Sequence, residues 1–237
     1  HTVDFLFENK DHNFHEKFQK KILKSSGIKE ILVRTGLNAD RFLDEHNFPL
    51  LEQPVPGLCA DRIDYFLRDT LEVKTLSQVE TETIVNDLVV VEGRIAFRSK
   101  ETALLAARKF MSQNKNYWAS PREALWYAVL AKALGLALQN KVINEKDLFS
   151  NDEIVLKKLR FSRELKIKTL LGLLRKDVEF RLDEKNHQFK ALVKLRYLDP
   201  LVLNQGAAVR LSALNGEFKL KMEDYVKKFQ PRLFLRV

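Results

Sequence analysis

The sequence predicts a mainly α-helical protein with a β-hairpin insertion and a small C-terminal α+β region. Apolar residues recur at helical spacing, with helix start signals, through most of residues 1–175. A short β-branched run at residues 86–98 interrupts this pattern, and beyond residue 176 the period shifts toward two. We therefore expect a helical domain over residues 1–175 and a small basic α+β appendage over residues 176–237.

The N-terminal part predicts a series of short helices. The first covers residues 15–25 and ends before Gly27, a common helix stop. Its apolar stripe consists of Phe14, Phe18 and Ile22. Residues 28–34 and 39–45 predict two further short helices.

The helix predicted from residue 60 has an unusual concentration of ionisable groups. The run Pro54-Val55-Pro56-Gly57 limits where it can begin. One face carries Asp61, Asp64, Tyr65, Arg68 and Asp69, and the other carries Ile63, Phe66, Leu67 and Thr70. The apolar lead-in Leu58-Cys59-Ala60 is expected to draw Asp61 toward the interior, where a carboxylate needs a partner. The alternative is a solvated face held by an Asp64–Arg68 pair.

A hairpin is predicted at residues 86–98, with its turn at Gly93. Helices are predicted to resume after Ser99 as N-cap, after Ser120 with Pro121 at the first helical position, and after a capping box that starts at Ser150. The corresponding helical segments are residues 103–111, 125–138, 152–159 and 162–174. We expect Trp118, Trp126 and Tyr127 to pack against core residues.

The C-terminal region predicts strands. Residues 189–197 alternate between apolar and basic side chains, which is typical of a sheet with one wet face. Further strands are expected at residues 209–214, 217–222 and 232–237, with turns at residues 204–206 and 215–216. The region contains no phosphate-binding glycine loop, zinc spacing or G-x-S-x-G, so we expect a lid, an oligomerisation surface or a basic docking module.

Charge divides the chain unevenly. Residues 1–100 carry 14 Lys and Arg against 17 Asp and Glu, whereas residues 101–237 carry 27 against 15, a net charge of +12. Such an excess attracts polyanions without specifying which. The single cysteine, Cys59, excludes an intramolecular disulfide, and no apolar run approaches the roughly 20 residues that span a bilayer. We therefore expect a cytoplasmic location and no membrane partner.

The segment LCADRIDYFLRD at residues 58–69 resembles the last motif of the HD-domain metal-dependent phosphohydrolases. The D-R-x-D-Y-x-x-R-D form is closest to the deoxynucleoside triphosphate triphosphohydrolase branch. The N-terminus is similar too, because His1-Thr2-Val3-Asp4 and then His15-Glu16 resemble the family's S-H-x-x-D and H-E segments. The resemblance covers residues 1–175 and implies an HD-type helical body.

This resemblance also implies roles for individual residues. Asp61 would be a metal ligand, and His15 with Asp4 would form the acid/base pair. The implied substrate contacts, on phosphate or sugar, are Arg62, Tyr65, Asp69 and His1. The implied activity is hydrolysis of a nucleotide at a divalent metal, which could be Mn, Mg, Fe, Ni, Co or Zn.

The family's metal-binding histidine and adjacent His-Asp dyad have no counterpart in this sequence. The first of the five histidines in this sequence is His1, and no His-Asp dipeptide occurs. We expect residues upstream of His1 to complete the metal site, and this stretch alone to be inactive.

Two other functions remain open. An HD-like body without catalysis could bind nucleic acid or a protein partner through its basic C-terminal half. The site could also hydrolyse a cyclic nucleotide or a pyrophosphate, because one fold hosts several chemistries. The family resemblance also implies a homo-oligomer.

Overall fold

The computed structural model describes residues 2, 6–7, 18–25 and 27–237. Helices account for 56% of the described residues and strands for 12%, so the fold is mainly α with two small sheets. The predicted site residues His1, Asp4 and His15 lie outside the described residues.

The helices are α1 Gln19–Ser25, α2 Ile28–Arg34, α3 Ala60–Glu72, α4 Gln78–Asn86, α5 Lys100–Gln113, α6 Pro121–Gln139, α7 Asp152–Phe161, α8 Leu165–Gly172, α9 Leu211–Leu214 and α10 Gly216–Lys228. The strands are β1 Leu88–Val91, β2 Arg94–Phe97, β3 Arg181–Leu182, β4 Phe189–Leu192, β5 Leu201–Asn204, β6 Ala207–Arg210 and β7 Arg232–Arg236. Short 3₁₀ turns occur at Ala39–Leu43, Glu45–Asn47 and Glu145–Phe149, and Asn114–Trp118 is a π-helical turn.

The chain forms two compact units. Unit I contains residues 20–118 and 195–229, and unit II contains residues 119–194 and 230–237 with the described residues before Lys20. Residues 195–229 therefore belong to the same compact unit as residues 20–118, although they are far from them in the sequence. The domain boundary expected at residue 176 stays a prediction.

Unit I contains a sheet of strand order β1-β2-β5-β6. Strands β1 and β2 pair antiparallel, with Val91 opposite Arg94, and the turn residues Glu92 and Gly93 both adopt positive φ. Strand β2 then pairs in parallel with β5, which pairs antiparallel with β6. The hairpin residues therefore share a sheet with strands from the C-terminal part of the chain.

The core of unit I also joins distant segments. Phe66 of α3 and Phe110 of α5 are buried together with Leu198 and Phe218. Leu198 and Phe218 are fully enclosed, at 0% exposure each. Because these two residues belong to residues 195–229, the C-terminal segment is part of the packing that fixes α3.

The strand predicted at residues 217–222 is wrong, because this segment lies within α10. The Asn215 side chain accepts a hydrogen bond from Phe218 N at 3.0 Å and caps the helix, so the turn expected at residues 215–216 is a helix start. Phe218, Met222 and Tyr225 contact the core at helical spacing. The strand expected at residues 209–214 is also only partly present, since β6 ends at Arg210 and α9 follows.

Unit II contains α6, α7 and α8 and a sheet of order β3-β7-β4. Strand β4 ends at Leu192, so the predicted strand over residues 189–197 is realised only in its first half. Ser120 caps α6 as expected, whereas α7 is capped by Asn151 rather than Ser150, and α8 begins at Leu165. Among the described helices, none combines the length and apolarity that crossing a bilayer requires.

Candidate functional site

The loop before α3 folds over the start of that helix. The backbone N–H groups of Ala60 and Asp61 donate to the carbonyl oxygens of Leu50 at 2.8 Å and Leu51 at 3.2 Å. The N-cap residue Cys59 makes no side-chain cap hydrogen bond with the described residues. The loop backbone thus satisfies helix donors that a capping side chain would otherwise take.

The guanidinium of Arg62 holds the same loop from inside. Arg62 is buried, at 8% exposure. It donates to the carbonyl oxygens of Gly57 and Gln53, the latter at 3.0 Å, and to Glu52 Oε1 at 3.3 Å. Arg62 therefore connects α3 to the segment that positions the first turn of the helix.

Asp61 does not turn toward the interior as expected. Leu58 and Cys59 are buried, but Asp61 in the first turn of α3 is exposed to solvent. Partial desolvation raises the pKa of its carboxyl, and the negative charge of Glu52 raises this pKa further. The chain therefore places two carboxylates near one another at the exposed start of this helix.

Tyr65 and Asp69 continue the face of α3 that carries Asp61. The rings of Tyr65 and Trp118 meet edge to face, with centroids 5.1 Å apart. Trp118 Nε1 donates to Asp69 Oδ2 at 2.8 Å. Trp118 packs against the core of unit I, as predicted from its sequence context, and its indole also fixes the Asp69 carboxylate.

Asp64 and Arg68 form the solvated pair that the alternative interpretation of this helix predicts. Their side chains are 67% and 66% exposed, with Arg68 Nη1 3.1 Å from Asp64 Oδ2. Arg68 Nε also lies 3.9 Å from Asp69 Oδ1, so this exposed ion pair adjoins the row of Asp61, Tyr65 and Asp69.

Sequence reasoning missed Arg196, which lies beside this row. Its guanidinium carbon is 5.9 Å from the centroid of the Trp118 ring. Burial raises the pKa of Tyr65, and the positive charges of Arg62 and Arg196 oppose that rise. The sequence pattern assigned Arg196 to the wet face of a strand, and no local signal indicates its approach to α3.

The described residues do not form a complete metal site. Within residues 2, 6–7, 18–25 and 27–237, no group of three His, Cys, Asp or Glu side chains could hold a metal ion. The exposed Asp61 carboxylate with Glu52 nearby offers the oxygen donors that hard divalent cations prefer. These donors fit one side of such a site.

Comparisons with known proteins show similarity to two proteins. No family model matches the chain. It is similar to the uncharacterized protein YdhJ of Bacillus subtilis, with 29% identity over 238 residues that cover 100% of this chain and 73% of that protein. It is also similar to the metal-dependent phosphohydrolase cns2 of the fungus Cordyceps militaris, with 27% identity over 156 residues. This second match covers 63% of the chain and 45% of the fungal protein.

Proposed function

We propose that this chain is part of an HD-type metal-dependent phosphohydrolase that hydrolyses nucleotides, with deoxynucleoside triphosphates as substrates. The observation that carries the proposal is the exposed Asp61 carboxylate, which lies in the first turn of α3 at the start of a D-R-x-D-Y-x-x-R-D run. The name of the fungal relative supports phosphohydrolase activity in general. The choice of nucleotide substrate rests on the motif.

A divalent ion, when bound, would activate water and neutralise phosphate charge. Asp61 would be one of its ligands. Burial and the charge of Glu52 raise the pKa of the Asp61 carboxyl, the charges of Arg62 and Arg68 oppose this rise, and a bound cation would favour the ionised carboxylate. The loop that Arg62 clamps keeps Glu52 beside the start of α3.

The remaining roles follow the row along α3. Asp69 would fix the sugar, because Trp118 orients its carboxylate while the carboxylate keeps further acceptor capacity. Tyr65 would contact the phosphate or sugar. His15 with Asp4 would move the proton, and His1 would contact the substrate.

The engagement of Arg62 with Gly57, Gln53 and Glu52 favours a role in holding the loop over a direct substrate contact. We include a homo-oligomer in the proposal on the family resemblance alone.

The test is Asp61→Asn in the full gene product, which includes whatever precedes His1. Metal-free protein is assayed for deoxynucleotide hydrolysis before and after Mn²⁺ or Mg²⁺ is added. Mutating a residue that only hydrogen-bonds a metal ligand lowers activity roughly 10–100-fold. We expect Asp61→Asn, which changes a ligand itself, to lower the metal-dependent rate more than about 100-fold.

Asp64→Asn is the matched control, since Asp64 is an exposed aspartate on the same helix whose partner is Arg68. It should retain a rate near that of the unmodified protein. Full activity in Asp61→Asn, or hydrolysis that persists without metal, would contradict the proposal.

The alternative is a non-catalytic module that binds nucleic acid or a protein partner. It is favoured by the net charge of +12 in residues 101–237 and by exposed cations on α7 and α8, among them Lys157, Arg160 and Lys166. Binding through many phosphate contacts should weaken steeply as salt rises. Salt-sensitive nucleic-acid binding without metal-dependent hydrolysis would favour this alternative.

A further inference from the structure

The face of α3 that carries the proposed site is one continuous row. Asp61, Tyr65 and Asp69 are spaced four residues apart, so their side chains lie above one another on one side of the helix. Two of the three are carboxylates. A phosphate-bearing ligand on this row therefore needs cationic partners in addition to a metal.

Both arginines of α3 already have partners. Arg62 is buried and donates to Gln53 O, Gly57 O and Glu52. Arg68 is 66% exposed, pairs with Asp64 at 3.1 Å and lies 3.9 Å from Asp69, one member of the row. Redirecting Arg62 toward a phosphate would leave buried loop carbonyls without their donor, which is costly.

Arg196 reaches the row from the C-terminal segment. It is half-buried, and its guanidinium lies over the ring of Trp118, 5.9 Å from the centroid. Trp118 in turn contacts Tyr65 at 5.1 Å between centroids and donates to Asp69 at 2.8 Å. The same indole thus contacts Arg196 and two members of the row.

The backbone around Arg196 is anchored beside α3. Leu198 is fully buried in the core that contains Phe66. Asp199 N donates to Pro56 O at 3.1 Å, in the loop that precedes α3. The Asp199 carboxylate accepts from Ser212 N at 2.9 Å and from Ser212 Oγ at 2.6 Å. These bonds hold the segment in place independently of any ligand.

The electrostatics of two tyrosines agree with this position. Burial raises the pKa of Tyr65 and of Tyr225, and in both the charge of Arg196 opposes the rise. The charge of Arg196 therefore reaches Tyr65, whose pKa Arg62 also lowers by its charge and by a hydrogen bond.

We propose that Arg196 is a substrate-binding residue that contacts a phosphate group of the nucleotide bound along the row Asp61, Tyr65 and Asp69. The inference rests on the proposed function and adds to it a residue outside the motif-bearing part of the chain. A guanidinium suits the role, because its planar fork binds phosphate oxygens in pairs and stacks on an aromatic ring at the same time.

The experiment compares Arg196→Met and Arg196→Lys in the full gene product. The methionine keeps an apolar stem against Trp118 but removes the charge, and the lysine keeps the charge but not the fork. We expect Arg196→Met to raise KM for a deoxynucleoside triphosphate about 10- to 100-fold, the usual effect of losing a hydrogen bond to a charged group. Arg196→Lys should restore part of this loss.

A binding measurement provides a readout that does not depend on turnover. Inorganic triphosphate is titrated into the metal-free protein by calorimetry, and Mn²⁺ is titrated separately. We expect Arg196→Met to weaken triphosphate binding about tenfold or more and to leave Mn²⁺ affinity unchanged. Arg98→Ala is the control, since it removes one exposed arginine of the same unit and should change neither.

The outcomes are distinguishable. Unchanged KM and unchanged triphosphate affinity in Arg196→Met would overturn the inference. A lower Mn²⁺ affinity or a lower unfolding midpoint in Arg196→Met would also overturn the inference, because Arg196 would then have a structural role. Activity in Asp61→Asn would refute the proposed function itself, whatever Arg196 does.

Discussion

At the scale of single residues, Arg62 shows how one side chain can connect a motif to the loop before it. Its guanidinium is nearly enclosed, and it donates to two backbone carbonyls and one carboxylate. Removing it would leave these acceptors without their donor, and the loop would lose its side-chain connection to α3.

We predict that Arg62→Ala lowers the free energy of unfolding by about 3 kcal/mol or more, the range typical of breaking a buried charged network. Urea denaturation followed by circular dichroism measures it. Arg68→Ala is the matched control on the same helix. Arg68 is 66% exposed and makes a surface pair, so its loss should cost at most about 1 kcal/mol. Equal costs for the two variants would show that the Arg62 contacts do not stabilise the loop.

At the scale of elements, α3 begins where a loop supplies what a cap residue usually does. Leu50 O and Leu51 O accept from the first N–H groups of the helix, and the loop then closes through Gly57. A Cβ on Gly57 would lie 3.0 Å from Pro54 O and 3.2 Å from Gln53 Cβ. A side chain at Gly57 would therefore fit only if these neighbours moved by a few tenths of an ångström.

We predict that Gly57→Ala lowers the free energy of unfolding by about 1–3 kcal/mol through this overpacking. We also expect it to lower the affinity for Mn²⁺, because the loop positions the start of α3, where Asp61 lies. Thermal unfolding and metal titration measure the two effects. Gly172→Ala is the control, because a Cβ there meets nothing within 4 Å and alanine favours the helix. It should be neutral or stabilising by up to about 1 kcal/mol. A neutral Gly57→Ala would contradict the close packing of the loop.

At the scale of the whole molecule, residues 195–229 complete the unit that contains α3. Leu198 and Phe218 fill its core, and β5 pairs with β2 of the hairpin. The segment that sequence patterns assign to an appendage therefore contributes to the packing around the proposed site.

We predict that Phe218→Ala lowers the free energy of unfolding of unit I by about 3–5 kcal/mol, the usual cost of truncating a buried phenylalanine. The protein has two tryptophans, so Trp126→Phe leaves Trp118 as a fluorescent reporter of unit I. Leu220→Ala, on the same helix and 69% exposed, should change the unfolding midpoint little. An unchanged midpoint at Trp118 in Phe218→Ala would show that α10 does not stabilise this unit.

The sequence by itself determined the local features whose signals lie within one turn or one helix. Ser99 and Ser120 cap the helices predicted after them, and the hairpin turns at Glu92 and Gly93. The Asp64–Arg68 pair follows from their spacing of four residues. These features depend on neighbours along the chain, which the sequence displays directly.

Only the tertiary structure decided features that depend on distant segments. Residues 217–222 alternate well enough for a strand, yet Asn215 and the burial of Phe218 and Met222 against another part of the chain make them helical. Asp61 is exposed although Leu58 and Cys59 before it are buried, and its backbone N–H donates to Leu51 O of the loop. Arg196 lies over Trp118, and the nearby Asp199 N–H donates to Pro56 O. These contacts join residues that are far apart in the sequence, so no local pattern of the sequence indicates them.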